Sequence, residues 1–388
     1  MENFIDINYK SINKYTEELC GDRVEYSCDD GEYIIVLSDG LGSGVKANIL
    51  ATMTTKITVT MLKNGASIED TIDTIINTLP ECKVRKLAYS TFTIIKIDKN
   101  NNVYIAEYDN PPYFYFSQKK IIPVEKAERK IGNKKIYESN IKLEENDTLC
   151  VVSDGAIHAG IGQMLNLGWS WDEVNEYLKN LNNLNSSSQI INNNFIGVCR
   201  NLYNNRPGDD TTILTIKSRR PEIVDLFVGP PANKSKDSAL AEIMNESKNI
   251  KIICGGTTAL IAERELGKTL SVDLDSMKQD VPPIAYMDGF DLVTEGVLTL
   301  GRTLDNIKKI NISDCDNVID YSSYDGCSIL TRMLSDMATH INFYIGRAVN
   351  PAHQNTGFPM GYSIKQNILD ALIEELKKAG KKINIMYL

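Results

Sequence analysis

The apolar pattern in the first half of the chain is mostly strand-like. EYIIVLSDG (32–40) is an apolar run closing on Gly40. A glycine-rich turn follows, then an Ala-, Thr- and Met-rich stretch from Val45 to Lys63 predicted to be helical. A second helix is expected from Ser67, where Glu69 and Asp70 place negative charge in the first turn. YSTFTIIKID (89–98) alternates with a period of two, and NVYIAEYD (102–109) answers it across a turn, so the two predict a hairpin. YFYFSQKKIIPV (113–124) predicts a shorter one. TLCVVSDG (148–155) is a short continuous apolar run, as expected of a buried central strand. Helices are predicted near Ser170–Leu181 and Ser188–Tyr203, with the Asn- and Ser-rich stretch Asn180–Asn194 as a loop, and TTILTIKS (211–218) as a closing strand.

After KSRRP (217–221) the rhythm changes. Apolar strands alternate with helical stretches: EIVDLFVG, a helix from about Asp237, NIKIICGG, a helix from about Ala259, TLSVDL, FDLVTEG, HINFYIGRAV, a helix from Ser363 and INIMYL. That alternation predicts a doubly wound, mostly parallel sheet with helices on both faces. The expected organisation is therefore an α/β chain of two domains, 1–219 and 222–388.

Composition narrows the function classes. A formal net charge of -9 argues against a nucleic-acid partner, which needs a basic face. No apolar run reaches the roughly 18 residues of a membrane span, and MENFIDINYK carries no signal-peptide core, so a cytoplasmic protein is expected. The eight cysteines are scattered singly without a CxxC pair, which reads as free thiols in a reducing compartment.

Acidic residues recur at strand boundaries. Asp22 precedes the first strand, Asp39 ends it within Ser38-Asp39-Gly40, Asp154 ends the central strand within Ser153-Asp154-Gly155, and Asp209 and Asp210 open the last strand. An aspartate at a strand end faces a crevice, and a neighbouring glycine lets backbone come close. Carboxylate and carbonyl oxygens are the ligands of hard divalent cations, and two such cations can activate water for attack on a phosphoryl group.

GD (21–22), VLSDGLGSGVKA (36–47), EYDNPPYFY (107–115), VVSDG (151–155) and GDDTTILTI (208–216) occur in that order. Over about residues 15–218 this set resembles the SpoIIE-type bacterial branch of the metal-dependent, type 2C serine/threonine protein phosphatases. The resemblance implies an α-β-β-α sandwich with two Mn2+ or Mg2+ ions between its sheets. It implies that Asp39 bridges the ions with the Gly40 carbonyl on one of them. Asp154 and Asp209 would bind the second ion, Asp22 would hold water on the first, and Asp210 would play a supporting role. A phosphorylated protein is the implied substrate, and an inactive regulatory protein on the same fold is the alternative. The histidine that follows Asp-Gly in many animal and plant members is Leu41 here. His158, four residues after Asp154, is a candidate proton donor, with a surface or helix-capping histidine as the plain reading.

Residues 222–388 match no family by inspection; a ligand-sensing module and a dimerisation module are both compatible with them. Glycine- or proline-bearing loops follow their strands at 228–234, 254–260, 293–296 and 350–359. In doubly wound sheets ligands bind outside the carboxyl ends of the strands. Gly255, Gly256, Thr257 and Thr258 are therefore the candidate site for a small molecule or anion, against a tight turn with Thr257 as N-cap. Glu295, His353 and Asn355 are further candidates.

Overall fold

The computed structural model describes residues 3–78, 90–118, 120–132, 134–183, 186–278, 281–311, 323–348 and 364–388. The chain divides into two compact units, Ile5–Arg220 and a second that comprises Pro221–Leu388 with the N-terminal residues through Phe4. Among the described residues no helix is long and apolar enough to cross a membrane.

The first unit contains eleven labelled strands, β1 (Phe4–Ile12), β2 (Asp22–Asp29), β3 (Glu32–Gly40), β4 (Ser90–Ile97), β5 (Asn102–Tyr108), β6 (Phe114–Ser117), β7 (Lys120–Ile121), β8 (Ala127–Ile131), β9 (Lys134–Lys142), β10 (Thr148–Val152) and β11 (Thr211–Arg219). Its helices are α1 (Gly44–Lys63), α2 (Ile68–Thr78), α3 (Asp154–Ile157), α4 (Trp171–Asn183) and α5 (Ser188–Leu202). The strands form two sheets, in the orders β1-β11-β10-β6-β7 and β2-β3-β4-β5-β9-β8.

Apolar side chains from both sheets meet in one core, with Ile35, Leu37, Ile95 and Ile105 from one and Leu149, Val151, Leu214 and Ile216 from the other. The opposite face of the second sheet, with Val36, Phe92 and Ile94, is covered by Val59, Leu62, Ile72 and Ile75 of α1 and α2. On the first sheet, α5 docks through polar ties: Thr215 donates to Asn192 Oδ1 at 2.6 Å and Lys217 to the Ser186 carbonyl at 2.8 Å. The layers are α-β-β-α.

Several expectations are corrected here. The Asn- and Ser-rich stretch 180–194 is not a loop, because α4 runs to Asn183 and α5 starts at Ser188. Its polar side chains are consumed in bonds to the sheet, with Thr148 donating to Asn182 Oδ1 at 2.8 Å. Lys217 and Ser218, the last residues of the expected closing strand, are buried within β11, which runs one residue further, to Arg219. β1, β2, β8 and β9 carried no predicted element.

The second unit contains β12 (Ile223–Val228), α6 (Asp237–Glu246), β13 (Ile250–Cys254), α7 (Gly256–Leu266), β14 (Ser271–Asp273), β15 (Ile284–Tyr286), β16 (Leu292–Thr294), α8 (Val297–Asn311), α9 (Gly326–Arg332), β17 (His340–Ile345), α10 (Ile364–Lys378) and β18 (Lys382–Tyr387). The sheet order is β14-β15-β16-β13-β12-β17-β18. From β16 to β18 all neighbours are parallel, and β14 and β15 close one edge antiparallel. Both faces are covered, as a parallel sheet requires: Val224, Leu226 and Val228 pack with α8 and α10, and Phe227 and Ile253 with α6 and α7.

Asp225 is the polar exception on β12, at 1% exposure. It accepts from Ser247 Oγ at 2.6 Å, from Asn342 Nδ2 at 2.7 Å and from Asn249 Nδ2 at 3.2 Å, pinning the entry to β13 and the neighbouring β17. Asp225→Ala strands three donors and is expected to cost about 3 kcal/mol. Urea unfolding followed through the second unit checks this.

Candidate metal centre

The two Ser-Asp-Gly turns are built alike, and each residue has a separate physical task. The serine ties its strand to a neighbour. Ser38 Oγ donates to the Thr91 carbonyl on β4 at 2.7 Å, and Ser153 Oγ accepts from Thr212 N–H on β11 at 2.9 Å. The glycine permits a close backbone approach. A Cβ on Gly40 would lie 2.0 Å from the Ala47 carbonyl oxygen of α1, and one on Gly155 2.1 Å from the Asp210 carbonyl oxygen. Between them, the aspartate is the side chain left to face the crevice where the sheets end.

Four elements bring the carboxyls together. Asp22 stands directly opposite Asp39 across the β2–β3 ladder, where like charges repel. Asp154 heads α3, and Asp209 and Asp210 precede β11. Asp22 and Asp210 are each 4% exposed. Both oxygens of Asp22 and Oδ2 of Asp210 are buried without a hydrogen-bond partner. Burial, reinforced by Asp22, Asp154 and Asp209, pushes the Asp39 carboxyl up to about 10. Burial also pushes Asp22 up to about 7, with Asp210 and Asp154 adding to the rise. The Ser153 and Thr212 hydroxyls lie near enough to oppose that rise, yet neither completes a well-formed hydrogen bond to Asp22. Asp209 is raised by burial and Asp154, and Lys14 Nζ, 3.9 Å away, works against this.

The donor set fits hard dications. Among the described residues no three His, Cys, Asp or Glu side chains converge at chelating distance around one point. Such ions often take only one or two carboxylates each and keep several waters. Orphaned carboxylate oxygens held against their own repulsion are a site for positive charge.

The sequence-predicted residues Asp22, Asp39, Gly40, Asp154 and Asp209 therefore lie in one region, with Asp210 buried among them. His158 is exposed at the C-terminal end of α3, where its N–H donates to the Asp154 carbonyl at 3.0 Å. Its side chain makes no described hydrogen bond.

Two features escaped the sequence. Ala47 is wedged between glycines, 2.9 Å from where a Cβ on Gly21 would stand and in contact with Gly40, so α1 is locked to the strand ends carrying Asp22 and Asp39. Lys126, Lys134 and Lys135 line a cavity of about 770 Å³ that reaches Asp154 along the Asn110-Pro111-Pro112 turn. Lys126 pairs with Glu107 and Lys135 with Glu128. Their only sequence signal is the basic spacing of a segment with no apolar period. A larger hollow of about 1180 Å³ lies around Asp30, Lys99 and Asn102, away from the carboxyls; of the two, the smaller cavity is the one that a member of the acidic cluster, Asp154, lines.

In the second unit, α7 begins at Gly256 rather than near Ala259, and its N-cap is Gly255 at φ 132°, not Thr257. Two consecutive glycines conceal a helix start. Gly256 and Thr257 are exposed and Thr258 is buried. Glu295 accepts from the Leu298 N–H at 3.1 Å and so caps α8. His353 and Asn355 lie outside the described residues.

Residues 29–219 match the family model of stage II sporulation protein E (SpoIIE). This segment resembles the SpoIIE type, and the match begins after Asp22, which the β2–β3 pairing supplies. No curated protein matches the chain. Among solved structures, the phosphatase domain of the cell fate determinant SpoIIE from Bacillus subtilis is 19% identical, over 56% of this chain and 94% of that one, with a TM-score of 0.43. The PP2C phosphatase domain of the same determinant, solved with a fragment of its regulatory domain, is also 19% identical over 56% of this chain, of which 62% of that chain is covered, with a TM-score of 0.48. RsbX in complex with magnesium is 20% identical, over 56% and 96% of the two chains, with a TM-score of 0.39.

Proposed function

We propose that the N-terminal unit hydrolyses phosphoserine or phosphothreonine on a protein substrate with two divalent cations, manganese or magnesium, as a bacterial signalling phosphatase. The observation that carries this reading is the set of five aspartates from four elements gathered with orphaned oxygens, in a segment that resembles the SpoIIE type. Asp39 and the Gly40 carbonyl would hold one ion, Asp39, Asp154 and Asp209 the other, and Asp22 would orient water. When bound, the ions would supply an activated water and charge neutralisation at the phosphoryl oxygens.

The chain's own groups supply the rest. Asp210 accepts from the Lys14 N–H at 2.9 Å, fixing the segment that precedes β2 against the acidic cluster. The cavity beside Asp154 offers a phosphoprotein Lys126, Lys134 and Lys135, interleaved with Glu107 and Asp109. His158 is assigned to protonate the departing serine oxygen, with its exposed ring free to reach a bound substrate.

The test is hydrolysis of a phosphothreonine peptide by the full chain, with and without millimolar manganese, together with calorimetric manganese titration. Metal-dependent release with saturable binding is expected. Binding without release moves the reading to an inactive regulatory protein on this fold, and neither binding nor release overturns it.

A further inference from the structure

Strand order in the second unit reverses between β12 and β17. The chain leaves β12 through α6 to β13 on one side, and leaves β17 through α10 to β18 on the other. Such a reversal opens a crevice at the carboxyl ends of the two strands. Three glycines keep backbone close there. The Gly346 N–H donates to the Val228 carbonyl at 2.9 Å, and a Cβ on Gly346 would lie 2.1 Å from the Pro230 oxygen. Gly229, at φ +78°, has its N–H group 3.9 Å from where a Cβ on Gly255 would stand.

Two kinds of positive group face Gly229 from opposite directions. From one comes the start of α7. Its N-cap is a glycine, no side chain caps its first turn, and those N–H groups have no intrahelical partner. Helices α8 and α9 are served differently, α8 by Glu295 and α9 by Asp325, whose Oδ1 accepts from the Ser328 N–H at 2.9 Å, whereas α6 also lacks a side-chain cap. Within the uncapped turn of α7, the Thr258 hydroxyl is fully buried and has no hydrogen-bond partner. It lies 3.5 Å from the point a Gly255 Cβ would occupy, so it is turned back toward the cap.

From the other direction comes Lys365, in the first turn of α10. Its Nζ donates to the Gly346 carbonyl at 2.9 Å and lies 2.4 Å from the position of a Cβ on Gly229, so any side chain at 229 would displace it. Among the described residues no carboxylate pairs with Lys365. Its surroundings desolvate it and lower its pKa below the ordinary lysine value. A half-buried ammonium without a counter-ion, an uncapped helix start and an orphaned hydroxyl around one glycine are the complement of a tetrahedral oxyanion.

We propose that the second unit binds the phosphoryl group of a small phosphorylated ligand at this crevice, on the first turn of α7, the Thr258 hydroxyl and the Lys365 ammonium. The proposal is independent of the phosphatase reading. Glycine at 229, 255 and 256 admits the phosphoryl group to the backbone. The remaining two N–H bonds of Lys365 reach it from the side of α10.

The experiment uses the full chain stripped with EDTA, so that the aspartate centre holds no cation, and titrates inorganic phosphate by calorimetry. Saturable binding is expected for the wild type and for Asp39→Asn alike. Lys365→Met is expected to weaken it about tenfold or more, through loss of a charge-assisted bond. Thr258→Val, which keeps the side-chain shape, should weaken it severalfold. Thermal midpoints without phosphate establish that the variants fold; should Lys365→Met fail to, Thr258→Val decides. The proposal is overturned by absence of saturable binding, by unchanged affinity in Thr258→Val or in a folded Lys365→Met, or by loss of binding in Asp39→Asn.

Discussion

Asp39→Asn is expected to remove phosphatase activity and, at the same time, to stabilise the metal-free protein. Removing a carboxylate that would bridge two cations is expected to lower turnover by about 10²–10³-fold or more. The stability effect has the opposite sign, because without cations Asp39 lies opposite Asp22 with Asp154 and Asp209 nearby. Both Asp39 and Asp22 have folded-state pKa values above those of the unfolded chain, about 10 and about 7 against about 4. The folded state therefore holds protons that the unfolded state releases. Stability of the metal-free protein must fall as pH rises from about 4 through 7 and toward 10. Asn at 39 removes one titrating group and its repulsion, which should flatten that slope and add about 1–3 kcal/mol at pH 8. Thermal unfolding in EDTA at pH 5 and pH 8, beside peptide hydrolysis in manganese, reads both effects. A variant that is inactive and also less stable at pH 8 would show that Asp39 is needed for folding rather than for holding cations.

Gly40→Ala should be among the most damaging single methyl additions in the first unit. The new Cβ would meet the Ala47 carbonyl oxygen at 2.0 Å and its carbonyl carbon at 2.7 Å, both of them backbone. No rotamer relieves such a clash, so α1 or the end of β3 must move, at a cost of about 3 kcal/mol or more. Any such shift carries Asp39 with it, so metal affinity should fall even where the protein still folds. Gly197→Ala is the matching control. It lies in α5 with nothing within 4 Å of the added carbon, so it should be neutral or add up to about 1 kcal/mol. Chemical denaturation and manganese calorimetry of the two variants test the contrast. Equal stability would mean that the α1–β3 contact is looser than its geometry.

Much of the first unit could be read from the chain because its chemistry is written locally. Ser-Asp-Gly carries its own physics, a strand tie, an outward carboxyl and a bare backbone, and the tie recurs at both turns, with Ser38 donating and Ser153 accepting. The segments that were misread lack local signals. The edge strand β8 is exposed at its first four positions, and its neighbour β9 alternates exposed with buried positions without an apolar run. The Asn-rich stretch looked like a loop because its helix-supporting partners, Thr148, Thr215 and Asn8, lie far away in sequence. The crevice in the second unit was half legible. Gly255 and Gly256 stand out as a motif, whereas Lys365 joins them only through the fold, more than a hundred positions later.

The position of β11 has a consequence for the order in which the protein can be made. It lies between β1 and β10 in its sheet, so the fourth residue group of the acidic cluster, Asp209 and Asp210, arrives with a strand that must enter the interior of a sheet. A nascent chain that has emerged only as far as α5 has Asp22, Asp39 and Asp154 but no strand to join β1 to β10. Long-range closure of this kind is slow compared with local helix and hairpin formation. Because β12 begins only a few residues after β11 ends, the second unit starts to emerge from the ribosome while the first is still closing its last gap.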